Sequence, residues 1–155
     1  SAIRRSLNRV LHLELETAEF SVPNVAVDTG LVAVMMPFAG FDSVYKTIRS
    51  ACSGARLNCL RADDIWENSS IIQDIFSLIY RAKIVVVDFS NKNPNVMYET
   101  GIAHTLGKTV IPIAQSIQDI PSDMVHHRAL IYHNNGEGLQ YLERELTEKL
   151  RNSRL

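Results

Sequence analysis

The sequence predicts an α/β protein, a three-layer sandwich in which helices cover both faces of a five-stranded parallel sheet. Two observations carry this prediction. Short apolar runs alternate with amphipathic segments along most of the chain, and Ile84–Val87 is a run of four consecutive β-branched residues. Such a run is typical of a central parallel strand that is buried on both faces. Strands that alternate with helices form a parallel sheet with right-handed crossovers.

The strands are predicted from apolar runs that end at turn or polar residues. The first run is closed by Pro37, and the second is the weakest of the five. In chain order the predicted strands are Val32–Met36, Leu57–Leu60, Ile84–Val87, Thr109–Ala114 and Ala129–Tyr132.

The helices are predicted from apolar residues that recur at helical spacing. The strongest pattern follows Ser69, and a later helix has Asn93 as its N-cap, Pro94 in its first turn and Gly107 after its end. The predicted helices are Asp42–Ala51, Ser69–Ala82, Asn95–Leu106 and Glu137–Arg151. Residues 3–20 are expected to form a further helix, and Val22–Gly30 a linker. The domain boundary is therefore expected at residue 30, with the α/β domain over residues 31–155.

The composition excludes several classes of protein. Of the 155 residues, 46% are hydrophobic and 21% are charged, which favours a globular domain over a disordered chain. A net charge of −1 argues against a strong electrostatic nucleic-acid binder. The longest apolar stretch, Leu31–Phe38, is far shorter than a membrane span of roughly 20 residues, and no secretory signal is visible. Cys52 and Cys59 have no metal-ligand spacing, so we expect reduced thiols and a cytoplasmic protein.

In a parallel sheet of this kind, ligands bind beyond the carboxyl ends of the strands, so residues that follow each strand are candidate site residues. The first strand is followed by Pro37, Phe38 and, after two small residues, Phe41. This loop is neither a GxGxxG fingerprint nor a phosphate-binding P-loop. It can cup a small ligand with Phe38 or Phe41 stacked on a ring; alternatively, both rings fill the core.

The second predicted strand is followed by Arg61 and Asp63. A guanidinium can hold a phosphate or carboxylate through two parallel hydrogen bonds. Asp63 can orient that group or a sugar hydroxyl. Alternatively, the two residues form an ion pair at the surface.

The third strand is followed by the richest segment of the chain. Asp88 comes directly after the β-branched run, and Asn93 and Asn95 flank the proline that opens the next helix. Free N–H groups at a helix start favour an anion or a polar ligand. Glu99 lies one and a half turns into that helix among apolar or small residues, so we expect it to point along the sheet edge. The alternative is an ordinary solvated glutamate.

Asp74 lies within the strongest helical pattern, and a solvent-facing position is the alternative to a role in the site. The histidines have no metal-ligand spacing. No metal site and no cofactor are therefore expected.

Three segments resemble the nucleoside 2-deoxyribosyltransferase-like superfamily. They are the string VAVMMPF at Val32–Phe38, the helix Ile71–Ile79 with its aspartate, and Asp88–His104. The last of these contains NPNVxYExGxAH from Asn93 to His104, a motif of a bacterial branch of that superfamily. The resemblance extends over about residues 31–150.

The resemblance implies a flavodoxin-like sheet and a glutamate nucleophile that attacks the anomeric carbon of a sugar and releases the base. Glu99 matches that nucleophile, Asp74 matches an aspartate near the nucleophile and the sugar, and Tyr98 borders the pocket. The classical transferases carry an aspartate six residues before the nucleophile, where this chain has Asn93. Asp88 can compensate from the end of the strand.

The implied function is cleavage of the N-glycosidic bond of a nucleoside or nucleotide, by hydrolysis or by base exchange. Arg61 and Arg128 can favour a phosphorylated substrate. Two alternatives stay open: a nucleotide-binding sensor module of a larger bacterial defence or signalling protein that does not turn its ligand over, and an NAD hydrolase similar to TIR domains. Members of the superfamily usually assemble, so a homo-oligomer is expected.

Overall fold

The computed structural model has five strands and four α-helices, and it describes residues 2–3, 17–64, 71–124 and 128–153. The strands are β1 (Asp28–Met35), β2 (Asn58–Arg61), β3 (Ala82–Asp88), β4 (Thr109–Ala114) and β5 (Leu130–Ile131). The helices are α1 (Asp42–Gly54), α2 (Ile71–Arg81), α3 (Pro94–Thr105) and α4 (Gly136–Ser153).

All neighbouring strands of the sheet run parallel, in the order β2-β1-β3-β4-β5. The chain leaves β1 toward one edge to form β2, then crosses back to the other side of β1 to form β3. The order of the strands therefore reverses between β1 and β3, and a crevice is expected beyond their carboxyl ends.

The helices cover the two faces of the sheet in pairs. On one face, α1 and α4 bury residues such as Ile48 and Leu146 against β1 and β3. On the other face, α2 and α3 bury residues such as Leu78 and Ala103 against the same strands. Each face thus has its own apolar core, and the predicted three-layer sandwich is confirmed. Within the described ranges, no helix is long and apolar enough to cross a bilayer.

The bounds of the elements differ from the predicted ones by a few residues at most. Strand β4 has the predicted bounds, whereas β5 is two residues shorter than predicted. Strand β1 begins at Asp28, so the last three residues of the stretch assigned to a linker belong to the sheet. The predicted start of the second helix, Ser69, lies outside the described residues, and α2 is described from Ile71.

The segment that precedes the sheet lies against α2. The Phe20 and Phe76 rings are stacked, with centroids 4.5 Å apart. The Ser21 amide donates to the Gln73 side chain, and the Gln73 amide donates back to the Ser21 carbonyl. Most of the helix predicted over residues 3–20 lies outside the described residues, and residues 17–20 are not helical.

Candidate functional site

A cleft opens at the carboxyl ends of β1 and β3, at the crevice that the strand order predicts. Its volume is about 310 Å³. We call it the Glu99 cleft; it is lined by Met36, Pro37, Phe38, Ile71, Ile72, Ile75, Asn93, Asn95, Val96, Tyr98 and Glu99. The cleft therefore lies between the β1–α1 loop and the first turns of α2 and α3.

Among the described residues that line this cleft, Glu99 supplies the only carboxyl group. The residue is 8% exposed, so the alternative of a solvated surface glutamate is wrong. Burial raises the pKa of Glu99 from 4.5 to about 7. In the described part of the chain, no ion pair or hydrogen bond holds this carboxyl group. A buried carboxylate without a partner is poorly stabilised and is poised to react with, or bind, a positively polarised centre.

The start of α3 is fixed by Asn93, which acts as the predicted N-cap. Its side-chain oxygen accepts hydrogen bonds from the Asn95 amide at 2.9 Å and the Val96 amide at 3.3 Å. Pro94 occupies the first helical position, where its missing N–H costs nothing. Because these two hydrogen bonds occupy the side-chain oxygen of Asn93, its side-chain NH₂ group is the one that can donate to a ligand.

Aromatic and apolar side chains form the mouth of the cleft. Phe38 is 50% exposed, Tyr98 is 53% exposed and Ile71 is 64% exposed. Exposed apolar side chains grouped around a concave site are typical of ligand-binding surfaces. Phe38 and Tyr98 are thus located where a planar ring can pack, as the sequence predicts for Phe38.

Phe41 does not reach the cleft, which corrects the sequence-based assignment. It is 5% exposed and packs in the core between the sheet and the pair α1 and α4. Its position immediately before α1 turns the ring under that helix, where it cannot meet a ligand in the cleft. The alternative of a core residue therefore describes Phe41.

Arg61 and Asp63 form a part-buried ion pair beside the cleft. The Arg61 Nε and Nη2 atoms each donate to an Asp63 carboxylate oxygen at 2.7 Å. The central carbon of the guanidinium lies 4.3 Å from the centre of the Tyr45 ring and 5.1 Å from the centre of the Phe38 ring. Its bidentate edge is therefore occupied, so the ion-pair alternative describes this pair better than a two-point phosphate clamp. Arg61 Nη1 is a buried donor that has no partner among the described residues.

Asp74 is buried in the first turn of α2, and the solvent-facing alternative is wrong. It is 4% exposed, and it interacts with another group of the protein. Its neighbour Ile75 and the earlier Ile71 line the cleft, whereas Asp74 itself does not. Asp74 thus lies one turn or less from the cleft wall, and its role in the site stays a prediction.

Asp88 lies behind the cleft rather than in it. It is fully buried, its carboxylate accepts from the Tyr132 hydroxyl at 2.5 Å, and the Ser90 amide donates to its other oxygen at 2.9 Å. Burial raises the pKa of Asp88, while these hydrogen bonds partly offset that effect. The Ser90 hydroxyl also accepts from the Gln115 amide, so the ends of β3, β4 and β5 are joined. These contacts position the end of the strand, and Asp88 does not line the cleft.

Replacing Tyr132 by phenylalanine is expected to destabilise the fold by about 1–3 kcal/mol, because the buried Asp88 carboxyl loses a donor. Urea unfolding measures this difference, with Tyr141→Phe as the matched control. Tyr141 lies on α4 and is 41% exposed, so its variant is expected to unfold at the wild-type urea concentration. Equal midpoints for the two variants would contradict the structural role of the Asp88–Tyr132 pair.

Arg128 is exposed in the segment before β5, and it does not line the Glu99 cleft. Its carbonyl accepts from the Lys149 ammonium group at 3.0 Å, which attaches this segment to α4. The structure therefore does not bring Arg128 together with the other candidate residues.

The sequence missed the apolar wall of the cleft. The sequence places Met36 at the end of a predicted strand and the isoleucines of α2 in a predicted helix, and it assigns none of them to the site. In the structure, Ile71, Ile72 and Ile75 line the cleft. The signal in the sequence is that Ile71 and Ile72 are adjacent, and two adjacent apolar residues of a helix do not face the same neighbour.

The comparisons with known proteins identify the class of fold. A solved structure of a 2-desoxiribosyltransferase from Leishmania mexicana is similar to this chain, with a TM-score of 0.53 and 14% sequence identity. The match covers 74% of this chain and 97% of that one. The fold is therefore nucleoside 2-deoxyribosyltransferase-like, and at this identity the match shows the fold alone. No model of a protein family matches the chain, and no curated protein matches its sequence.

Proposed function

We propose that the Glu99 cleft cleaves the N-glycosidic bond of a nucleoside or nucleotide, with the Glu99 carboxylate as the nucleophile. The observation that carries the proposal is the buried, unpaired Glu99 carboxyl group at the end of a small cleft with ring-bearing walls. A nucleoside presents the matching chemistry: a planar base for the rings and an anomeric carbon that becomes positive as the base leaves.

In the first step, a Glu99 oxygen bonds to the anomeric carbon while the bond between that carbon and the base nitrogen breaks. The electron pair of the broken bond leaves with the base, which takes up a proton from water. In the second step, the oxygen of a water or the nitrogen of another base attacks the anomeric carbon and loses a proton to the solvent, while the bond from that carbon to Glu99 breaks and its electron pair returns to the carboxylate. Water gives hydrolysis, and a second base gives base exchange.

The burial of Glu99 assists this chemistry. Desolvation disfavours the charged carboxylate before a substrate binds, and for this reason the pKa of Glu99 is raised to about 7. The developing positive charge on the sugar, and then the covalent bond, remove that disadvantage. The transition state is therefore stabilised relative to the ground state, which is the requirement for a higher rate.

Further candidate residues surround the nucleophile. Tyr98 and Phe38 would pack on the base or the sugar, and the Asn93 amide nitrogen would donate a hydrogen bond to either. Asp74, buried one turn or less from the cleft wall, would position Glu99 or a sugar hydroxyl. The unpartnered Nη1 of Arg61 would favour an acceptor oxygen such as that of a phosphate.

One observation favours a second function, in which the cleft binds a nucleotide without turning it over. The oxygen of Asn93 is held by the helix cap, and an amide cannot protonate a leaving base. Within residues 17–64, 71–124 and 128–153, the cleft wall then has no carboxylic acid besides Glu99 to serve as the acid for the base. A domain with these properties would act as a sensor module.

Base release from a panel of substrates tests the proposal and separates its alternatives. The panel contains deoxynucleosides, their monophosphates, ribonucleotides and NAD, each with and without an acceptor base, with products separated by chromatography. Release without an acceptor indicates a hydrolase, and exchange that needs one indicates a transferase. Nicotinamide release would favour the NAD hydrolase. If no base is released while nucleotides raise the melting temperature, the binding module replaces the enzyme.

The pH dependence of kcat/KM is expected to follow the ionisation of Glu99. Because the carboxylate is the reactive form, kcat/KM should rise with pH and level off above about 7, with tenfold lower values for each pH unit below. The initial rate of base release at low substrate concentration, measured from pH 5 to 9, gives this profile. A profile that is flat across pH 7 would contradict the assignment of Glu99 as the ionising nucleophile.

A further inference from the structure

The two cysteines of the chain meet on the face of the sheet covered by α1 and α4, away from the Glu99 cleft. Cys52 lies near the end of α1, and Cys59 lies in β2. The chain turns sharply between them, since the Leu57 amide donates to the Cys52 carbonyl at 2.9 Å. The Cys59 side chain packs against the apolar cluster that contains Cys52, and the interaction between the two thiols raises the pKa of Cys52 and lowers the pKa of Cys59. Two thiols seven positions apart in sequence are thus packed in the same apolar cluster.

The two thiols differ in access. Cys52 is 1% exposed and belongs to the apolar core. Cys59 is only partly buried and lies on the edge strand of the sheet. It lines a cavity of about 570 Å³ together with Arg49 and Arg81. A small oxidant can therefore reach Cys59 and not Cys52.

The charged and polar groups around the pair distinguish the thiols further. The Cys52 hydrogen bond, the Arg49 charge and the Tyr45 hydroxyl lower the pKa of Cys59, while burial and the Asp64 charge oppose them; the net direction is downward. The hydrogen bond to Cys59 and burial raise the pKa of Cys52. A thiolate is the reactive form of cysteine. Cys59 is therefore the thiol that attacks the oxidant, and Cys52 is the thiol that then attacks the oxidised Cys59.

We propose that Cys59 and Cys52 form a reversible redox pair that closes to an intrachain disulfide when a peroxide oxidises Cys59. The Cys59 sulfur attacks one peroxide oxygen, the O–O bond breaks, and Cys59 becomes a sulfenic acid as the other oxygen leaves as water or an alcohol. The Cys52 sulfur then attacks the Cys59 sulfur and expels the hydroxyl group, which takes the Cys52 proton and leaves as water. The two sulfurs together lose two electrons, and the peroxide accepts them.

Intact-mass analysis of the reduced chain after treatment with hydrogen peroxide tests the proposal. We expect the mass to fall by that of two hydrogen atoms, the digest to contain a linked peptide joining Cys52 to Cys59, and dithiothreitol to restore the original mass. An unchanged mass, under conditions that oxidise the urea-unfolded chain, would overturn the proposal. A disulfide between two chains, seen on a non-reducing gel instead of the intrachain link, would also overturn it.

Two serine variants separate the roles of the thiols. In Cys52→Ser, the Cys59 sulfenic acid has no thiol to react with, so a sulfenic-acid trapping reagent should label Cys59. In Cys59→Ser, the buried Cys52 should react with peroxide at least about tenfold more slowly than Cys59 does in Cys52→Ser. Circular dichroism melting of both variants shows whether they are folded. Equal reactivity in two folded variants would contradict the assignment of Cys59 as the attacking thiol. If a variant does not fold, the linked peptide from the oxidised wild-type chain still tests whether Cys52 and Cys59 form a disulfide.

Discussion

Replacing Glu99 by glutamine is expected to lower the rate of base release by at least about 10³-fold. The amide keeps the shape of the side chain but cannot form a stable bond to the anomeric carbon or neutralise its positive charge. The measurement is single-turnover base release with the substrate that the panel identifies. Because Glu99 is the only carboxyl group that the described part of the chain places in the cleft wall, no other described wall residue can replace it.

The matched control is Glu148→Gln on α4, since Glu148 is exposed and does not line the cleft. Its rate should equal that of the wild type. Circular dichroism should show that both variants keep the fold. A folded Glu99→Gln variant that releases base within about tenfold of the wild-type rate would exclude Glu99 as the nucleophile.

The same substitution is expected to stabilise the fold, and to do so only at neutral and alkaline pH. The pKa of Glu99 is about 7 in the folded chain against 4.5 for the free side chain. The raised pKa means that the folded state resists ionisation of Glu99, so wild-type stability falls as the pH rises from about 4.5 to about 7. Glu99→Gln carries no such penalty, and its advantage at pH 8 should reach about 3 kcal/mol.

Urea unfolding of the wild type and Glu99→Gln at pH 5 and pH 8 measures this difference. The advantage of the variant should be small at pH 5 and large at pH 8, and other titrating groups cancel because both proteins contain them. Glu148→Gln should show no such dependence on pH. An equal difference at both pH values would mean that the burial of Glu99 does not carry the cost inferred here. Stability gained where activity is lost is typical of a group retained for function.

The fold could be predicted from sequence because its signals are local. The β-branched run Ile84–Val87 identifies the central strand, and the spacing of apolar residues identifies the helices around it. The polar cap at Asn93 and the proline after it fix the start of α3, as the structure confirms. These signals depend on neighbours within one or two turns of the chain, which a single sequence contains.

The site was predictable only in part, because burial depends on which face each residue takes. Asn93, Glu99 and Phe38 were indicated by the rule that ligands bind at the carboxyl ends of parallel strands, and Tyr98 was indicated by the resemblance to the superfamily; all four line the cleft. Phe41, three residues after Phe38, points into the opposite core, and the composition of the loop does not reveal that difference.

Two further features of the site depend on contacts between distant elements. The buried position of Asp74 requires knowing what covers the first turn of α2. The pairing of Asp88 with Tyr132 requires knowing that β5 follows β4 in the sheet. Neither fact is encoded within a few residues of the side chain concerned, so the sequence could indicate these residues without their partners.

Intact-mass measurement of the protein during the first turnover tests most directly whether Glu99 bonds to the sugar. The reaction is quenched with acid at successive times, and the protein is weighed and digested. We predict a transient adduct with the mass of the substrate minus its base, on the peptide that contains Glu99, and no adduct on Glu99→Gln. An adduct on another residue, or base release at the wild-type rate by Glu99→Gln, would contradict the proposed mechanism.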